Sequence, residues 1–403
     1  MRRDLLVFIA FAFALVFPAP GFSQSSKSSL MAKSPAVDVK ALTNKANSGI
    51  PEAQYELAFA YHSGVEVDKS DFEAMRWYRM AANSGHTGAQ NNLGYLYETG
   101  PDGLKNMAEA VKWYQRAAIY GSAMAQFNLG RLYLLGRGVP QSNEEALRWM
   151  QKSVDAGCPS ALAALSGMYA TGRGVPQDPH QALKLAQKAA KQHSPQGEAA
   201  LGVLYVDGLG VPKNLPEGVK WLNKAAQNGN ATGQYALGML YETGEGVKRD
   251  TNVAIRLFRL AAEQGLTTAQ ALLGQIYELG QGVAADRKEA VTWYRQAAHQ
   301  GDAESATRLG TILVRGQGVD KDIDSAVPLL TMAADKGNEY AQFHLAELYA
   351  SGAGVQRDLQ KAYSLFTLAG KKLDASKQLK EISSQLNRER SQANNVAETT
   401  NDR

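Results

Sequence analysis

The chain has 403 residues, 44% of them hydrophobic, and its 43 lysines and arginines against 39 aspartates and glutamates give a formal net charge of +4. So small an excess of positive charge favours neither a nucleic acid nor a membrane surface as the partner. The single cysteine, Cys158, excludes an internal disulfide framework, so packing alone must stabilise the fold.

Residues 1–23 are predicted to form a cleavable secretory signal. Two arginines precede an apolar run from Leu5 to Phe17, and small residues precede Gln24. The run is short for a membrane span, although an uncleaved anchor is the alternative. We therefore expect a periplasmic or secreted protein with no membrane span after cleavage. Residues 24–36 are predicted to be a flexible linker.

The rest of the chain repeats every 36 residues. The stretch LGYLYETG at 93–100 returns as LGMLYETG at 237–244, four periods later. Steps of 36 from Leu57 reach a leucine in nine copies out of nine, and steps from Gly64 reach a glycine in nine out of nine. A period of this length indicates stacked units of one supersecondary motif, which is typical of a solenoid.

Each unit is predicted to contain two helices. In the first unit Ala53, Leu57 and Tyr61 lie on one apolar stripe, and glycine then ends the first helix. A residue that can cap a helix begins the second helix in every copy. These residues are Ser70, Asn106, Ser142, Asp178, Asn214, Asp250, Asp286, Asp322 and Asp358. The predicted fold class is all-α, an α/α solenoid.

The repeats are bounded by shorter segments at both ends. Nine copies cover residues 53–373, and a half-repeat over 37–52 is predicted to cap their N-terminal end. An apolar stripe predicts a C-terminal capping helix over 374–390. Residues 391–403 are polar and are predicted to be a disordered tail.

The repeat unit, with KWYQRAAIYG at 112–121, resembles the Sel-1-like repeat, a shorter relative of the tetratricopeptide repeat. This resemblance implies a right-handed superhelix whose first helices line a concave groove. It also implies an adaptor or scaffold rather than an enzyme. Some secreted relatives carry a cysteine pair in each repeat, and this chain lacks that framework.

Sequence motifs for catalysis are missing. The histidines form no H-E-x-x-H pattern, there is no G-x-S-x-G, and no lysine has a serine three residues before it. We therefore predict no catalytic residues, no metal site and no cofactor.

The candidate binding residues lie on the first helices, off the leucine stripe. The positions equivalent to Tyr55, Phe59 and His62 are predicted to face the groove, and aromatic side chains and arginine are the residue types that dominate binding hot spots. The candidates are Tyr55, Phe59, Tyr95, Phe127, Arg131, Tyr235, Met239 and Phe343. Packing between repeats is the alternative role for each aromatic ring.

Three functions fit the sequence. The first is an adaptor that binds another protein or peptide in the groove and serves or regulates an envelope process. The second is a binder of cell-wall glycan. The third is a hydrolase of β-lactam or cell-wall substrates, as claimed for the cysteine-rich relatives.

Overall fold

The computed structural model describes residues 38–101, 103–370 and 373–401, with side chains as far as residue 392. The predicted signal and linker lie outside these residues. All regular secondary structure in the described residues is helical. The helices are α1 (Val39–Asn47), α2 (Pro51–Ser63), α3 (Asp71–Asn83), α4 (Thr87–Thr99), α5 (Met107–Ile119), α6 (Ala123–Leu135), α7 (Asn143–Asp155), α8 (Pro159–Thr171), α9 (Pro179–Lys191), α10 (Pro195–Asp207), α11 (Leu215–Gln227), α12 (Ala231–Thr243), α13 (Thr251–Glu263), α14 (Thr267–Leu279), α15 (Arg287–His299), α16 (Ala303–Arg315), α17 (Ile323–Asp335), α18 (Glu339–Ser351), α19 (Leu359–Ala369) and α20 (Ser376–Asn401).

The described residues form two compact units, one ending at Arg249 and one beginning at Asp250. In each unit the two helices of a repeat pack together, for example α2 with α3 and α14 with α15. The second helix then packs on the first helix of the next repeat. The prediction of an all-α solenoid of helical hairpins is confirmed.

Helix ends follow the predicted capping chemistry. All nine predicted N-cap side chains accept a hydrogen bond from a backbone N–H of the first turn. The first helices end at a glycine in the left-handed conformation, such as Gly64 with φ of 70°. Gly100 is different, with φ of −60°, because GPDGL replaces the G-x-G-V pattern of the other repeats.

Small residues allow the two helices of a repeat to cross closely. A Cβ atom on Gly94 would lie 2.9 Å from the ring of Tyr114, and one on Gly274 would lie 2.5 Å from Tyr294. Both distances are too short for real carbon contacts. In these two repeats the ring occupies the space that a side chain would need, whereas the first and ninth repeats accommodate Ala58 and Ala346 beside the buried Tyr78 and Phe366.

Buried glutamines link one repeat to the next. Each donates its side-chain amide to the backbone carbonyl eight residues earlier, at the end of the preceding second helix or, for Gln54, of α1. The glutamines are Gln54, Gln90, Gln126, Gln234, Gln270 and Gln342, with N–O distances from 3.0 to 3.4 Å. They satisfy carbonyls that a helix end leaves without an intrahelical partner.

The C-terminal region differs from the sequence-based expectation. The capping helix predicted over 374–390 corresponds to the first part of α20, which begins at Ser376; Ala375, just before it, and Ile382 are buried in a cluster with residues of α19. The helix continues through residues 391–401, which were predicted to be disordered. No glycine or proline follows Gly370 to interrupt it. None of the helices in the described residues is both long and apolar enough to cross a membrane.

Asp207 replaces a hydroxyl residue at the end of α10. In five other repeats a serine or threonine at this position donates to the carbonyl four residues earlier; these are Ser63, Thr99, Thr171, Thr243 and Ser351. Neither carboxylate oxygen of Asp207 has a hydrogen-bond partner among the described residues. Burial raises the pKa of Asp207 to about 7 against the opposing charge of Lys213, and Glu245 adds to the rise. The negative end of the helix dipole acts in the same direction.

We expect Asp207→Thr to stabilise the protein near pH 8 and to have little effect near pH 4. The pKa of about 7 in the folded protein lies above the ordinary value of 3.8. The stability that comes from the neutral carboxyl is therefore complete below about pH 4 and is lost as the pH rises to about 7. Across this window the unfolding free energy of the wild type should fall relative to the variant by up to about 1.4 kcal/mol per pH unit.

Urea unfolding at several pH values measures this difference. Asp335→Thr, at an exposed aspartate, is the matched control and should show no comparable pH dependence. A difference between wild type and Asp207→Thr that stays constant with pH would contradict the assignment.

Candidate functional site

The eight predicted binding residues fall into two groups. Tyr55, Phe59, Tyr95 and Phe343 are half-buried. The other four are buried, with exposed fractions from 1% to 9%: Phe127, Arg131, Tyr235 and Met239. The expectation that these four lie off the core does not hold, because the packed helices of the repeats bury them. A role in binding stays a prediction for all eight residues.

Arg131 on α6 forms a buried ion pair with Glu98 on α4. The guanidinium donates to Glu98 Oε2 at 2.5 Å, and the exposed fractions of the two side chains are only 2% and 1%. The Tyr114 hydroxyl donates to the same oxygen at 3.1 Å. Arg137 approaches the other oxygen, Oε1, at 3.7 Å. The first helices of repeats two and three are therefore joined by charge.

The electrostatics of this pair favour both ionised forms. Burial alone would raise the pKa of Glu98, but the charge of Arg131 and its hydrogen bond outweigh burial and lower that pKa. Burial, followed by the charge of Glu98, raises the pKa of the Tyr114 hydroxyl well above its usual value. The carboxylate thus stays charged and the phenol stays a donor. Such an arrangement fixes geometry and offers no group poised to exchange a proton near neutral pH.

Tyr95 lies beside a second polar pair. His62 Nδ1 is 2.9 Å from Asp71 Oδ1, which joins α2 to α3. The rings of His62 and Tyr95 meet edge to face, with centroids 6.2 Å apart. Burial raises the pKa of Tyr95, so its hydroxyl is neutral at physiological pH. This part of the site presents an aromatic ring next to a histidine and a carboxylate.

Tyr55 occupies the N-terminal end of the same helix as His62. Its ring stacks on His86, with centroids 4.5 Å apart and an interplanar angle of 21°. His86 in turn accepts from the Ala89 N–H through Nδ1 and lies 2.9 Å from Glu52 through Nε2. Because Nδ1 is the acceptor, the proton of the neutral ring belongs on Nε2. The histidine that caps α4 therefore also holds Tyr55.

Amide side chains join the first helices of repeats two and three, α4 and α6. Asn128 donates to Asn91 Oδ1 at 3.0 Å, and Asn91 donates to Asn92 Oδ1 at 3.2 Å. The Oδ1 atom of Asn128 and the Nε atom of Arg131 are buried without a partner in the described residues. Repeats one to three thus concentrate polar groups that core packing does not require.

Phe343 belongs to the second unit and has a different setting. Its ring packs edge to face on Phe366, with centroids 5.1 Å apart, within the apolar cluster at the C-terminal end. On its other side Phe343 meets the His344 ring edge to face, with centroids 6.0 Å apart, and His344 Nδ1 lies 2.9 Å from Glu347 Oε2. The second unit therefore holds one half-buried candidate with a polar neighbour, whereas the first unit holds three half-buried candidates on two successive first helices: Tyr55, Phe59 and Tyr95.

The chemistry of the site suits binding. In the described residues there is no group of three or more histidines, cysteines, aspartates or glutamates that could hold a metal ion. Cys158 is buried, with an exposed fraction of 4%. Half-buried rings beside fixed amides and charges can bind a side chain or a peptide backbone, since they offer apolar area together with oriented donors and acceptors.

Sequence reasoning did not select Glu98, Tyr114 or His62 as site residues. A signal for the ion pair was present, because Glu98 and Arg131 are 33 residues apart in a repeat of 36. Equivalent positions on adjacent first helices are 36 apart, so these two residues differ by about one turn. Opposite charges with that separation can meet across the two helices.

Comparison with known proteins gives consistent matches. The family model of the Sel1 repeat matches nine segments of the chain, residues 51–86, 87–119, 123–158, 159–194, 195–230, 231–266, 267–302, 303–338 and 339–372. A protective antigen of uropathogenic Escherichia coli, described as having an SLR fold, is 33% identical; the match covers 86% of this chain and 82% of that chain, with a TM-score of 0.44. A Sel1 repeat protein from Oxalobacter formigenes is 32% identical, with coverages of 76% and 90% and a TM-score of 0.48. No curated protein matches the chain.

We expect Arg131→Met to destabilise the protein by about 3–5 kcal/mol, because it leaves the Glu98 carboxylate buried without its cation. The double variant Glu98→Leu/Arg131→Met should lose less than the single variant, since neither charge remains. Urea unfolding of both proteins measures the two costs. Arg137→Met, at the half-exposed arginine, is the control and should cost under about 1 kcal/mol. A double variant that is as unstable as Arg131→Met would contradict this account of the pair.

Proposed function

Because the chain belongs to the Sel1 repeat family, we propose that it is a periplasmic or secreted adaptor that binds another protein or peptide through the first helices of repeats one to three. Sel1 repeat proteins mediate protein–protein interactions, and their fold is generally a non-enzymatic scaffold. The proposed role is to assemble or regulate components of the cell envelope.

The observation that carries this proposal is the aromatic patch formed by Tyr55, Phe59, His62 and Tyr95. All four side chains are half-buried, and the spacing of the first three residues places them on one side of α2. Tyr95 adjoins them from α4 through its contact with His62. Aromatic side chains of this kind supply large contact areas and lose little rotamer entropy on binding.

The contacts beneath the patch fix it in place. Tyr55 is stacked on His86, and His62 is held by Asp71. The Glu98–Arg131 pair lies one turn further along α4 and joins the next repeat. A surface that is ordered before binding avoids the entropy cost of ordering it in the complex. This preorganisation favours recognition of one specific partner over loose adhesion.

We expect Tyr55→Leu/Tyr95→Leu to reduce partner recovery by at least about tenfold, because a hot-spot aromatic contributes about 2 kcal/mol or more. The chain from Gln24 onward, in wild-type and variant forms, would be used to capture partners from envelope extract, with identification by mass spectrometry. Leucine keeps apolar bulk in the half-buried sites, and circular dichroism checks that the variant is folded.

The matched control is Tyr340→Leu/Tyr363→Leu, which changes two tyrosines of the second unit that are 50% and 39% exposed. A partner bound by wild type and control but lost by the patch variant supports the adaptor. Equal recovery by all three proteins would place the interface elsewhere. Retention of purified peptidoglycan, or turnover of a chromogenic β-lactam, would instead favour the glycan-binding or hydrolase alternatives.

The proposed location of the protein in the cell depends on the secretory signal predicted at residues 1–23. We expect the mature chain to begin at Gln24 and to appear in the periplasmic or extracellular fraction, as an N-terminal peptide identified by mass spectrometry would show. Phe11→Arg/Phe13→Arg should prevent export, because each arginine in the apolar run costs about 2.5–3.5 kcal/mol of insertion free energy. A chain that begins at Met1 in the membrane fraction would indicate the uncleaved anchor instead.

A further inference from the structure

The second helices of the first five repeats share an exposed face that the proposed function does not use. This face contains three positions per helix, spaced i, i+3 and i+4. The residues are Arg76, Arg79 and Met80; Lys112, Gln115 and Arg116; Arg148, Gln151 and Lys152; Lys184, Gln187 and Lys188; and Lys220, Asn223 and Lys224. Ten of these fifteen residues are cations, none is acidic, and all ten cations are exposed. We call this face the cationic stripe.

Part of the charge on the stripe is neutralised within the protein. Four cations pair with a glutamate three residues earlier: Arg76, Lys112, Arg148 and Lys220. Lys224 pairs with the buried Glu198 at 3.0 Å. Arg116, Lys152, Lys184 and Lys188 form no ion pair with any residue that the structure describes. Unpaired positive charge therefore extends over repeats two to four.

Contact with a tryptophan ring explains the presence of a long side chain at some of these positions, but it does not require so many positive charges. Arg116 lies over the ring of Trp113 at 5.5 Å, and Lys152 lies over Trp149 at 4.5 Å. The equivalent positions in the second unit are Arg256, Arg259 and Leu260; Thr292, Arg295 and Gln296; Pro328, Thr331 and Met332; and Ser364, Thr367 and Leu368. Only three of those twelve residues are cations, although the same helices form there. The repeat fold therefore does not require the stripe.

We propose that the cationic stripe binds a linear anionic polysaccharide with one acidic group for every one or two sugars. The second helices pack mainly on the first helices before and after them, so cations of successive repeats lie farther apart than the about 8–10 Å between directly packed helices, and the stripe offers widely spaced cations instead of a dense array. Between the cations lie Gln115, Gln151, Gln187 and Asn223, whose amides can donate to and accept from sugar hydroxyls.

Other polyanionic partners fit this face less well. Duplex DNA carries a negative charge about every 1.7 Å, much denser than the cations here. Single-stranded nucleic acids also need a series of exposed rings for base stacking. Phe72 and Tyr120, 62% and 68% exposed, lie one turn from Arg76 and Arg116, but no aromatic ring in the stripe helices of repeats three to five is exposed in this way. An anionic bilayer favours apolar side chains beside the cations, and the stripe in repeats three to five has none.

The test uses a fluorescein-labelled hyaluronan oligosaccharide, which has one carboxylate per disaccharide, and fluorescence anisotropy at several salt concentrations. The protein is the chain from Gln24 onward. The stripe variant is Arg116→Gln/Lys152→Gln/Lys188→Gln, whose cations form no ion pair among the described residues. The control variant, Lys40→Gln/Lys69→Gln/Lys248→Gln, removes the same charge from exposed positions outside the stripe.

We expect the wild type and the control to bind hyaluronan and to ignore neutral dextran. The stripe variant should lose affinity, and its affinity should depend less steeply on salt than that of the wild type, because three exposed cations no longer contribute to the attraction. Equal losses in both variants, with folding confirmed by circular dichroism, would overturn the proposal. So would the absence of hyaluronan binding by the wild type. Tighter binding of duplex DNA or of phosphatidylglycerol vesicles at the same salt would overturn it as well.

Discussion

Tyr114 occupies the space that a side chain on Gly94 would fill, and Tyr294 does the same over Gly274. This close crossing sets the distance between the two helices of a repeat, and every other surface depends on it. A ring that reaches over the first helix can also place its hydroxyl on that helix, as Tyr114 does at Glu98. The residue that gives the hairpin its geometry thus also anchors the polar network of the site.

The glutamine-to-carbonyl hydrogen bond is the corresponding constraint between repeats. Three repeats lack the glutamine and hold Leu162, Glu198 or Ala306 at this position. In the fifth repeat the position holds Glu198, which is fully buried and pairs with Lys224 and Asn228 of the following helix. A buried carboxylate requires a cation, so Lys224 is tied to the core while its neighbours on the stripe are not. One substitution at a repeat junction therefore changes the electrostatics of an outer face.

Sequence periodicity predicted the helices, their caps and the hairpins because these depend on spacing within 36 residues. It could not predict which side chains of the first helices remain accessible. Phe127 and Tyr235 occupy the same repeat position as Tyr55, yet they are buried and Tyr55 is not. The difference depends on how closely successive first helices approach, and small residues allow α8, α10 and α12 to pack directly on one another. Burial of that kind depends on the residues of neighbouring repeats, so it cannot be predicted from the residue at one repeat position alone.

The same reasoning explains why a protein of nearly neutral charge can carry a strongly charged surface. The repeat requires particular residues at the crossing, at the caps and at the junctions, and leaves the outer positions of the second helices free. Acidic residues are placed at the helix starts, where they cap or pair, and the free positions of the first unit hold cations and amides. In the second unit three of the twelve equivalent positions hold arginine and most of the others hold alcohols or apolar residues. One repeat scaffold thus supports both compositions, and the proposed contact with an anionic polysaccharide would account for the cations of the first unit where the fold does not.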